Sequence, residues 1–209
     1  MTFIDAGAHV GLYTLFASRM VGERGVVLAI EPSSREFERL AHNLQANTVQ
    51  NVRLRRAALS DRRSQARLTI AEARHSGHNT LGLFAYEITR PAGTEVVPTE
   101  RLDDIVREER LGRVDVIKMD LEGAELLALE GAREVLQRFR PLLLLELSDR
   151  SLQHQQARSA LVWDMLERCG YAIHRFDDAS GEPVRGRRQG WFGGENIVAM
   201  PRDTDGRQA

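Results

Sequence analysis

The feature that most constrains the fold of this chain is the regular alternation of short apolar runs with longer segments of helical periodicity. The apolar runs predict strands, and the segments whose apolar residues recur every three or four positions predict helices between them. This order is typical of βαβ units, in which parallel strands form one sheet with helices on its faces. We therefore expect an α/β fold in which most strands are parallel.

The pattern also gives approximate boundaries. Strands are predicted at 2–6, 25–31, 52–59, 114–119, 142–147, 171–176 and 196–200, and helices at 12–21, 33–47, 124–139 and 155–169. Weaker β-like pieces at 66–71, 81–88 and 94–98 predict a small antiparallel insertion within about 62–100. We expect a single domain over residues 1–202, since 209 residues are within reach of one core, with a long loop at 178–194 and a flexible tail at 203–209.

Charge and cysteine content exclude several classes of partner. The chain has 29 basic and 30 acidic residues, so no overall basic field favours a nucleic acid or an anionic membrane. The composition, 42% hydrophobic and 28% charged, is typical of a globular domain and predicts no membrane span. One cysteine, Cys169, leaves no internal disulfide and suits a reducing cytosol. Because the first residues do not resemble a signal peptide, we expect a cytoplasmic protein.

The most informative segment joins the first predicted strand to the first predicted helix, with the sequence FIDAGAHVG at residues 3–11. In an open parallel sheet this loop is the usual contact of a nucleotide. Gly7 permits a tight turn, and Gly11 permits close helix packing or the approach of a ligand. Asp5, at the strand end, disfavours a pyrophosphate and favours an ammonium group. A turn glycine and a helix-capping acid are the alternative interpretation.

Glu31 follows the second predicted strand, 20 residues after Gly11. An acid at this distance typically accepts hydrogen bonds from the ribose hydroxyls of a bound adenosine. His9 occupies the place of the second glycine of the pattern G-x-G-x-x-G, which disfavours a dinucleotide cofactor. These features favour S-adenosylmethionine, a sulfonium with an amino-acid end and no phosphate.

Other acids come after later strands. Asp61 could bind the adenine amino group while the Ser60 backbone meets a ring nitrogen, although a turn in which Asp61 caps its own backbone is equally open. Asp120 and Glu122 crowd one loop, which is costly without a cation or a shared proton. Glu146 lies near the end of a leucine-rich strand, and its carboxylate should face the same edge.

The chain resembles the FkbM-type S-adenosylmethionine-dependent methyltransferases over residues 3–176. The resemblance lies in successive motifs, which are FIDAGAHVGLYT, AIEPSSREFERLAHNL, RAALSD, RLDDIV, VIKMDLEGAELLALEGA and LLLLELS, with ENIVAM similar to the closing strand. It implies a Rossmann-like class I methyltransferase fold, with a mostly parallel seven-stranded sheet, an antiparallel edge strand and a small β insertion. It also implies S-adenosyl-L-methionine as the cofactor.

The resemblance also implies roles for individual residues. The cofactor would be bound by Asp5, Gly7, Ala8, His9, Gly11, Thr14, Glu31, Ser60, Asp61 and Asp120. Members of the family mostly methylate hydroxyl groups of sugars, glycolipids or polyketide-type natural products. The expected partner is therefore a small-molecule or carbohydrate hydroxyl acceptor, and no nucleic acid.

The chain departs from the family pattern in two places. His9 stands where the family usually has asparagine, so cofactor affinity could depend on pH near the titration range of histidine. Family members also commonly carry a segment before the first strand, where this chain begins almost on it. Either a reduced substrate lid or a truncated chain would account for that start.

We expect Asp120, Glu122 and Glu146 to be the catalytic acids, one as the base and another orienting the acceptor or the cofactor ammonium group. For Glu125, stabilisation of a helix N-terminus is the preferred explanation. His78 is an alternative base from the insertion. A magnesium cage formed by the three acids is a less favoured alternative, and we expect no metal. Trp191 and Phe192 could line a substrate pocket or anchor their loop.

Two other functions remain open at the level of sequence. A degenerate domain could serve as a scaffold without activity, and an NAD-dependent oxidoreductase would share the fold and Glu31. RNA methylation finds support only in the basic cluster RGRR at residues 185–188, which is more typical of a solvated loop.

Overall fold

The structure is a computed structural model that describes residues 1–82, 89–188 and 192–202. Its strands are β1 (Thr2–Ala6), β2 (Val26–Ile30), β3 (Val52–Arg55), β4 (Ala58–Leu59), β5 (Ser64–Ala71), β6 (Pro91–Glu100), β7 (Val116–Met119), β8 (Leu142–Ser148), β9 (Tyr171–Phe176), β10 (Pro183–Arg185) and β11 (Gly193–Pro201). Its helices are α1 (Leu12–Val21), α2 (Ser34–Ala46), α3 (Leu102–Glu108), α4 (Glu125–Glu130), α5 (Arg133–Phe139), α6 (Asp149–Gln153) and α7 (Ser159–Arg168). A short 3-10 helix spans Ala73–His78.

The main sheet has eight described strands in the order β10-β9-β11-β8-β7-β1-β2-β3. The neighbouring strands β8, β7, β1, β2 and β3 pair in parallel, as the βαβ pattern predicts. The antiparallel strand expected at an edge, β11, lies instead between β8 and β9 and pairs with both. The predicted loop at 178–194 contributes the edge strand β10, which is antiparallel to β9. The α/β methyltransferase-like architecture is therefore confirmed, with one more strand than expected.

The insertion forms a separate three-stranded sheet in the order β4-β6-β5. The single strand predicted at 52–59 is wrong, because the chain leaves the main sheet after Arg55 and β4 pairs with β6. Most of the predicted piece at 81–88 lies outside the described residues. The predicted pieces at 66–71 and 94–98 fall within β5 and β6, which pair with each other. This small sheet stands beside the carboxyl edge of the main one.

One predicted helix is divided in the structure, and another begins later than predicted. The helix predicted at 124–139 breaks between α4 and α5 at Gly131, where an added Cβ would lie 2.0 Å from the carbonyl oxygen of Ser60. That close approach requires glycine. The helix predicted at 155–169 corresponds to α7, which begins only at Ser159, and the additional helix α6 begins immediately after β8 with Ser148 as its N-cap.

Two apolar clusters cover the two faces of the main sheet. The larger one includes Ile4, Leu28, Ile117 and Leu143 of the strands together with residues from α3, α5 and α7. On the opposite face Ala29 packs against Leu40 and Leu44 of α2. Burial on both faces explains why the sequence of the central strands is almost continuously apolar.

The carboxylate of Asp149 joins three segments at the carboxyl edge. It accepts hydrogen bonds from the backbone N–H and the hydroxyl of Ser159, at 2.8 and 2.6 Å, and from the backbone N–H of Phe192 at 2.6 Å. Phe192 is fully buried and packs near Trp163, with ring centroids 6.1 Å apart. Of the two interpretations of Phe192, anchoring of its loop is the one that this burial supports. Trp191 lies outside the described residues.

We expect Asp149→Ala to lower the free energy of unfolding by about 3 kcal/mol, because it leaves buried donors without an acceptor. Urea unfolding monitored by circular dichroism measures the change. Asp164→Ala is a matched control, since Asp164 pairs with Arg188 on the surface and its loss should cost no more than about 0.5 kcal/mol. Equal effects of the two substitutions would contradict the role given to Asp149.

Candidate cofactor and acceptor site

The loop after β1 comes into direct contact with the loop after β7. Gly7 has a φ of 77°, and a Cβ added to it would lie 2.0 Å from the carbonyl oxygen of Asp120. Gly11 has a φ of 94°, and its added Cβ would lie 2.5 Å from Leu40. Both positions therefore need glycine for conformation and for space. The two loops form one wall of a cleft at the carboxyl edge of the sheet.

Asp5 lies beneath this cleft and is not one of the described residues that line it. It is fully buried, and its Oδ2 accepts a 2.6 Å hydrogen bond from the hydroxyl of Thr14. The ammonium group of Lys118 lies 3.8 Å from its Oδ1. Burial raises the pKa of Asp5, while the charge of Lys118 and the Thr14 hydrogen bond act in the opposite direction. Asp5 thus fixes α1 and Lys118 from below the cleft.

Glu31 lines the cleft, as the sequence predicts. Its carboxylate accepts 2.9 Å hydrogen bonds from the backbone N–H groups of His9 and Ser33. Burial raises its pKa to about 7, although both hydrogen bonds favour the charged form. Glu31 is therefore a preoriented acceptor at the end of β2, suited to the hydroxyl groups of a ribose.

His9 also lines the cleft, with a left-handed φ of 51°. Its Nε2 lies 3.6 Å from a carboxylate oxygen of Glu36. Burial lowers the pKa of the imidazole, and the nearby charge of Glu36 opposes this effect. The side chain therefore carries a charge mainly below its ordinary titration range.

The residues that line the cleft near the expected adenine position differ from the predicted Ser60 and Asp61. Ala58 and Leu59 line the cleft, whereas Ser60 and Asp61 do not. The Ser60 N–H already donates to the carbonyl oxygen of Glu100, and its hydroxyl donates to Asp61. The insertion supplies lining residues that the sequence did not indicate, which are Leu68, Gly77, Asn79 and Leu81. Their contribution depends on how the small sheet packs, and no local motif reveals it.

The three predicted catalytic acids do come together. Asp120, Glu122 and Glu146 line a small cavity with Glu125, Ser148 and Ser151. Burial, reinforced by the charges of Asp120, Glu146 and Glu125, raises the pKa of Glu122 to about 8. Burial and the charge of Asp120 also raise the pKa of Glu146. With this pKa, the Glu122 carboxyl can hold and release a proton near neutral pH.

Glu125 has a larger role than the helix-dipole explanation predicts. It is 2% exposed, and its Oε1 accepts hydrogen bonds from the backbone N–H groups of Leu121 and Gly123 at 2.9 and 3.3 Å. It thus caps the loop before α4, as a helix-start acid can. Burial raises its pKa to about 7, so it also belongs to the acidic cluster.

The acids are not arranged as a metal cage. Within the described ranges 1–82, 89–188 and 192–202, no group of three His, Cys, Asp or Glu side chains is placed to hold a metal ion. The alternative base His78 lies in the insertion, where its Nδ1 is 2.8 Å from the hydroxyl of Thr89 and its ring stacks on His75. Burial lowers its pKa.

A second cleft adjoins the first, and Asp120 lines both. Its polar lining groups are Lys118, Asp120, Glu146, Arg175, Asp178, Glu195 and Asn196, and its aromatic ones are Tyr13 and Phe176. Arg175 and Glu195 form an ion pair across neighbouring strands. Lys118, Tyr13 and Asn196 lie within the quoted motifs, but nothing in the sequence singles them out as site residues. The strand registers pair Lys118 with Asp5 and Asn196 with Glu146, and α1 supplies Tyr13, whose ring lies near Lys118.

A family model described as the methyltransferase FkbM domain matches residues 5–173. The chain belongs to the FkbM methyltransferase family. Methyltransferase sdnD of Sordaria araneosa is 30% identical in an alignment 157 residues long, and the match covers 63% of this chain and 60% of that protein. Methyltransferase 1 of Beauveria bassiana is 28% identical in an alignment 145 residues long, and the match covers 61% of this chain and 57% of that protein. The chain thus spans about three-fifths of the length of these curated relatives.

Solved structures agree on the fold. The crystal structure of methyltransferase FkbM from Methylobacillus flagellatus superposes with a TM-score of 0.57 at 18% identity, covering 95% of this chain and 43% of that one. Aeropyrum pernix fibrillarin with natively bound S-adenosyl-L-methionine gives a TM-score of 0.51 at 12% identity, covering 95% of this chain and 65% of that one. Membership of this methyltransferase family supports S-adenosylmethionine as the cofactor. In the part of the chain that the structure describes, no helix is long and apolar enough to cross a membrane.

The buried acids predict how stability depends on pH. Glu31, Glu122 and Glu125 have pKa values raised from 4.5 to about 7, 8 and 7. Each holds a proton in the folded protein that the unfolded chain has already released, so the free energy of unfolding falls as pH rises. His9 and His78 have lowered pKa values, so they raise the free energy of unfolding as pH rises. This opposite effect ends at about pH 6.5, where the unfolded chain has also released these protons.

We therefore expect the ligand-free protein to lose stability between pH 6.5 and 8.5, and Glu122→Gln to reduce the slope. Urea unfolding at pH 6.5, 7.5 and 8.5 provides the measurement. The substitution Glu38→Gln, on the exposed side of α2, is the control and should leave the slope unchanged. A stability that stays constant or rises over this interval would show that these carboxyls do not titrate as their burial implies.

Proposed function

We propose that this protein transfers the methyl group of S-adenosylmethionine to a hydroxyl oxygen of a sugar, a glycolipid or a natural product. The observation that carries the proposal is the position of Asp120 on both clefts, beside Glu122 and Glu146. A methyl group must pass from a cofactor in one cleft to an acceptor in the other where the two meet. The candidate bases lie at that place.

The residues of the first cleft suit the cofactor. Glu31 offers a preoriented carboxylate to the ribose, and Gly7 lines the same cleft. Ala58, Leu59 and Leu68 provide an apolar surface for the adenine ring. When bound, S-adenosylmethionine supplies an electrophilic methyl group, and its sulfur keeps the electron pair of the broken C–S bond as the acceptor oxygen forms the C–O bond.

The acids of this chain would take the proton that the acceptor oxygen loses. Glu146 lines the acceptor cleft and the small cavity, whereas Glu122 lines the cofactor cleft and the same cavity. Their raised pKa values make them stronger bases than ordinary carboxylates at neutral pH, provided they are ionised. One of them removes the proton, and another acid of the set orients the acceptor or the cofactor.

The second cleft favours an acceptor with little or no negative charge. Four acids, Asp120, Glu146, Asp178 and Glu195, face two basic groups there. Tyr13 and Phe176 are 53% and 42% exposed, so their rings are available to stack on the apolar face of a sugar or a polyketide ring. The negative balance also counts against the phosphate backbone of a nucleic acid.

We expect Glu31→Ala to weaken the binding of S-adenosylhomocysteine by roughly 10- to 100-fold, the value of a hydrogen bond to a charged group. Isothermal titration calorimetry measures the affinity, with NAD as a ligand that should not bind. Glu38→Ala is the matched control. If the folded wild-type protein binds no S-adenosylhomocysteine, the domain is a scaffold and the enzyme proposal fails.

We expect Glu122→Gln to reduce methyl transfer by at least about 100-fold, because general-base catalysis typically contributes this much, and to leave S-adenosylhomocysteine affinity within about threefold. Transfer of a radiolabelled methyl group to a panel of sugars, glycolipids and hydroxylated natural products measures activity. Glu146→Gln tests the other candidate base with the same assay. Full activity of Glu122→Gln would remove Glu122 from the proposed mechanism.

A further inference from the structure

Lys118 is the only lysine in a chain whose other basic residues are arginines. It lies in β7, two residues before Asp120, and is 8% exposed. Its side chain lines the second cleft close to the place where the two clefts meet. Neither cofactor binding nor proton removal, as proposed above, uses this buried positive charge.

The contacts of Lys118 fix its ammonium group. Its Nζ lies 3.4 Å from Oδ2 of Asp120 and 3.8 Å from Oδ1 of Asp5, and 4.7 Å from the centre of the Tyr13 ring. Asp5 Oδ1 has no hydrogen-bond partner among the described residues, so its principal stabilisation is the charge of Lys118. The parallel pairing of Asp5 with Lys118 in β1 and β7 produces this arrangement directly.

One ammonium group between two carboxylates sets the charge at the junction, which is the place where the two clefts meet. With both acids ionised, the three side chains carry a net charge of −1, whereas without Lys118 they would carry −2. A positively charged methyl donor is attracted to this charge, and its neutral product is not. The strength of that attraction matters, because stabilising the donor as strongly as the transition state does not accelerate transfer.

We propose that Lys118 sets the charge at the junction of the two clefts so that the site does not overstabilise the cationic sulfonium of S-adenosylmethionine relative to the neutral sulfur of S-adenosylhomocysteine. This inference rests on the proposed function, since it requires the cofactor to react at that junction. Lys118 acts through its fixed charge, and Asp5 and Tyr13 hold that charge in place. Lys118 therefore affects transfer only through the position of its charge, and it does not itself take the acceptor proton.

The test compares two dissociation constants and needs no acceptor. The quantity is the ratio of the Kd of S-adenosylmethionine to the Kd of S-adenosylhomocysteine, measured by calorimetry at one pH and ionic strength. We expect Lys118→Met to lower this ratio by about five- to tenfold, as the loss of a nearby charge at an intermediate effective dielectric implies. Lys118→Arg keeps the charge and should stay within about twofold of the wild type.

Two further variants separate charge from structure. Lys118→Met combined with Asp5→Asn restores the net charge of −1, so its ratio should return to within about twofold of the wild type. Asp5→Asn alone leaves Lys118 with a single acid and should raise the ratio. This single variant keeps a near-isosteric acceptor for Thr14, so it tests the inference even if Lys118→Met does not fold.

The possible results distinguish failure of the proposed function from failure of the role proposed for Lys118. Wild-type protein that binds neither ligand overturns the proposed function and the inference together. Binding of both ligands with an unchanged ratio in Lys118→Met or, where that variant does not fold, in Asp5→Asn overturns the role of Lys118 alone. A ratio that falls in Lys118→Met and is not restored by Asp5→Asn shows a structural effect and also overturns it.

Discussion

The site depends on the contact between the backbone of Gly7 and the carbonyl oxygen of Asp120. Parallel pairing of β1 with β7 ends both strands at the same level, and the missing side chain of Gly7 lets the loops after these strands touch. The cleft proposed for the cofactor is lined by both Gly7 and Asp120, and the cleft proposed for the acceptor is also lined by Asp120. Any larger residue at position 7 would force the loops apart and separate the groups that must act together.

The same contact concentrates negative charge in a partly dry space. Glu122 and Glu125 are carried by the loop and helix that begin at Asp120, and Glu146 is brought beside them by the neighbouring strand. Burial makes ionisation of these carboxyls costly, which is the physical origin of their raised pKa values. Lys118 offsets part of this cost for Asp5 and Asp120. Glu122 and Glu125 can therefore hold protons near neutral pH, which reduces the number of unpaired ions in the core.

Features that depend on strand order could mostly be predicted from the sequence. Because parallel strands end at one edge of a sheet, the meeting of Asp120, Glu122 and Glu146 could be predicted from their places after apolar runs. The bounds of α1 are an equally local feature, since the helix spans Leu12–Val21 as the pattern predicts. The assignment of individual cofactor contacts to Asp5, Ser60 and Asp61 remains a prediction.

The features that the sequence did not reveal depend on contacts between distant residues. The break at Gly131 requires the Ser60 carbonyl, and the departure of the chain after Arg55 requires β6 as a partner for β4. The contact of Lys118 with Asp5 follows only from the register of β1 with β7, which pairs the two residues. In each case the local pattern was compatible with a simpler element, and tertiary packing decided otherwise.

The two clefts are lined largely by different segments of the chain, and this separation affects how such a protein can diversify. The cleft proposed for the cofactor is lined by residues between 7 and 124, including the insertion, whereas much of the cleft proposed for the acceptor is lined by residues 144–197. Substitutions in β9, in β11 and in the segment between them can therefore reshape the acceptor cleft without touching the residues that face the cofactor. Evolution, or a designer, could thus alter the choice of acceptor through β9, β11 and the segment between them, while β8 keeps Glu146 beside Asp120 and Glu122.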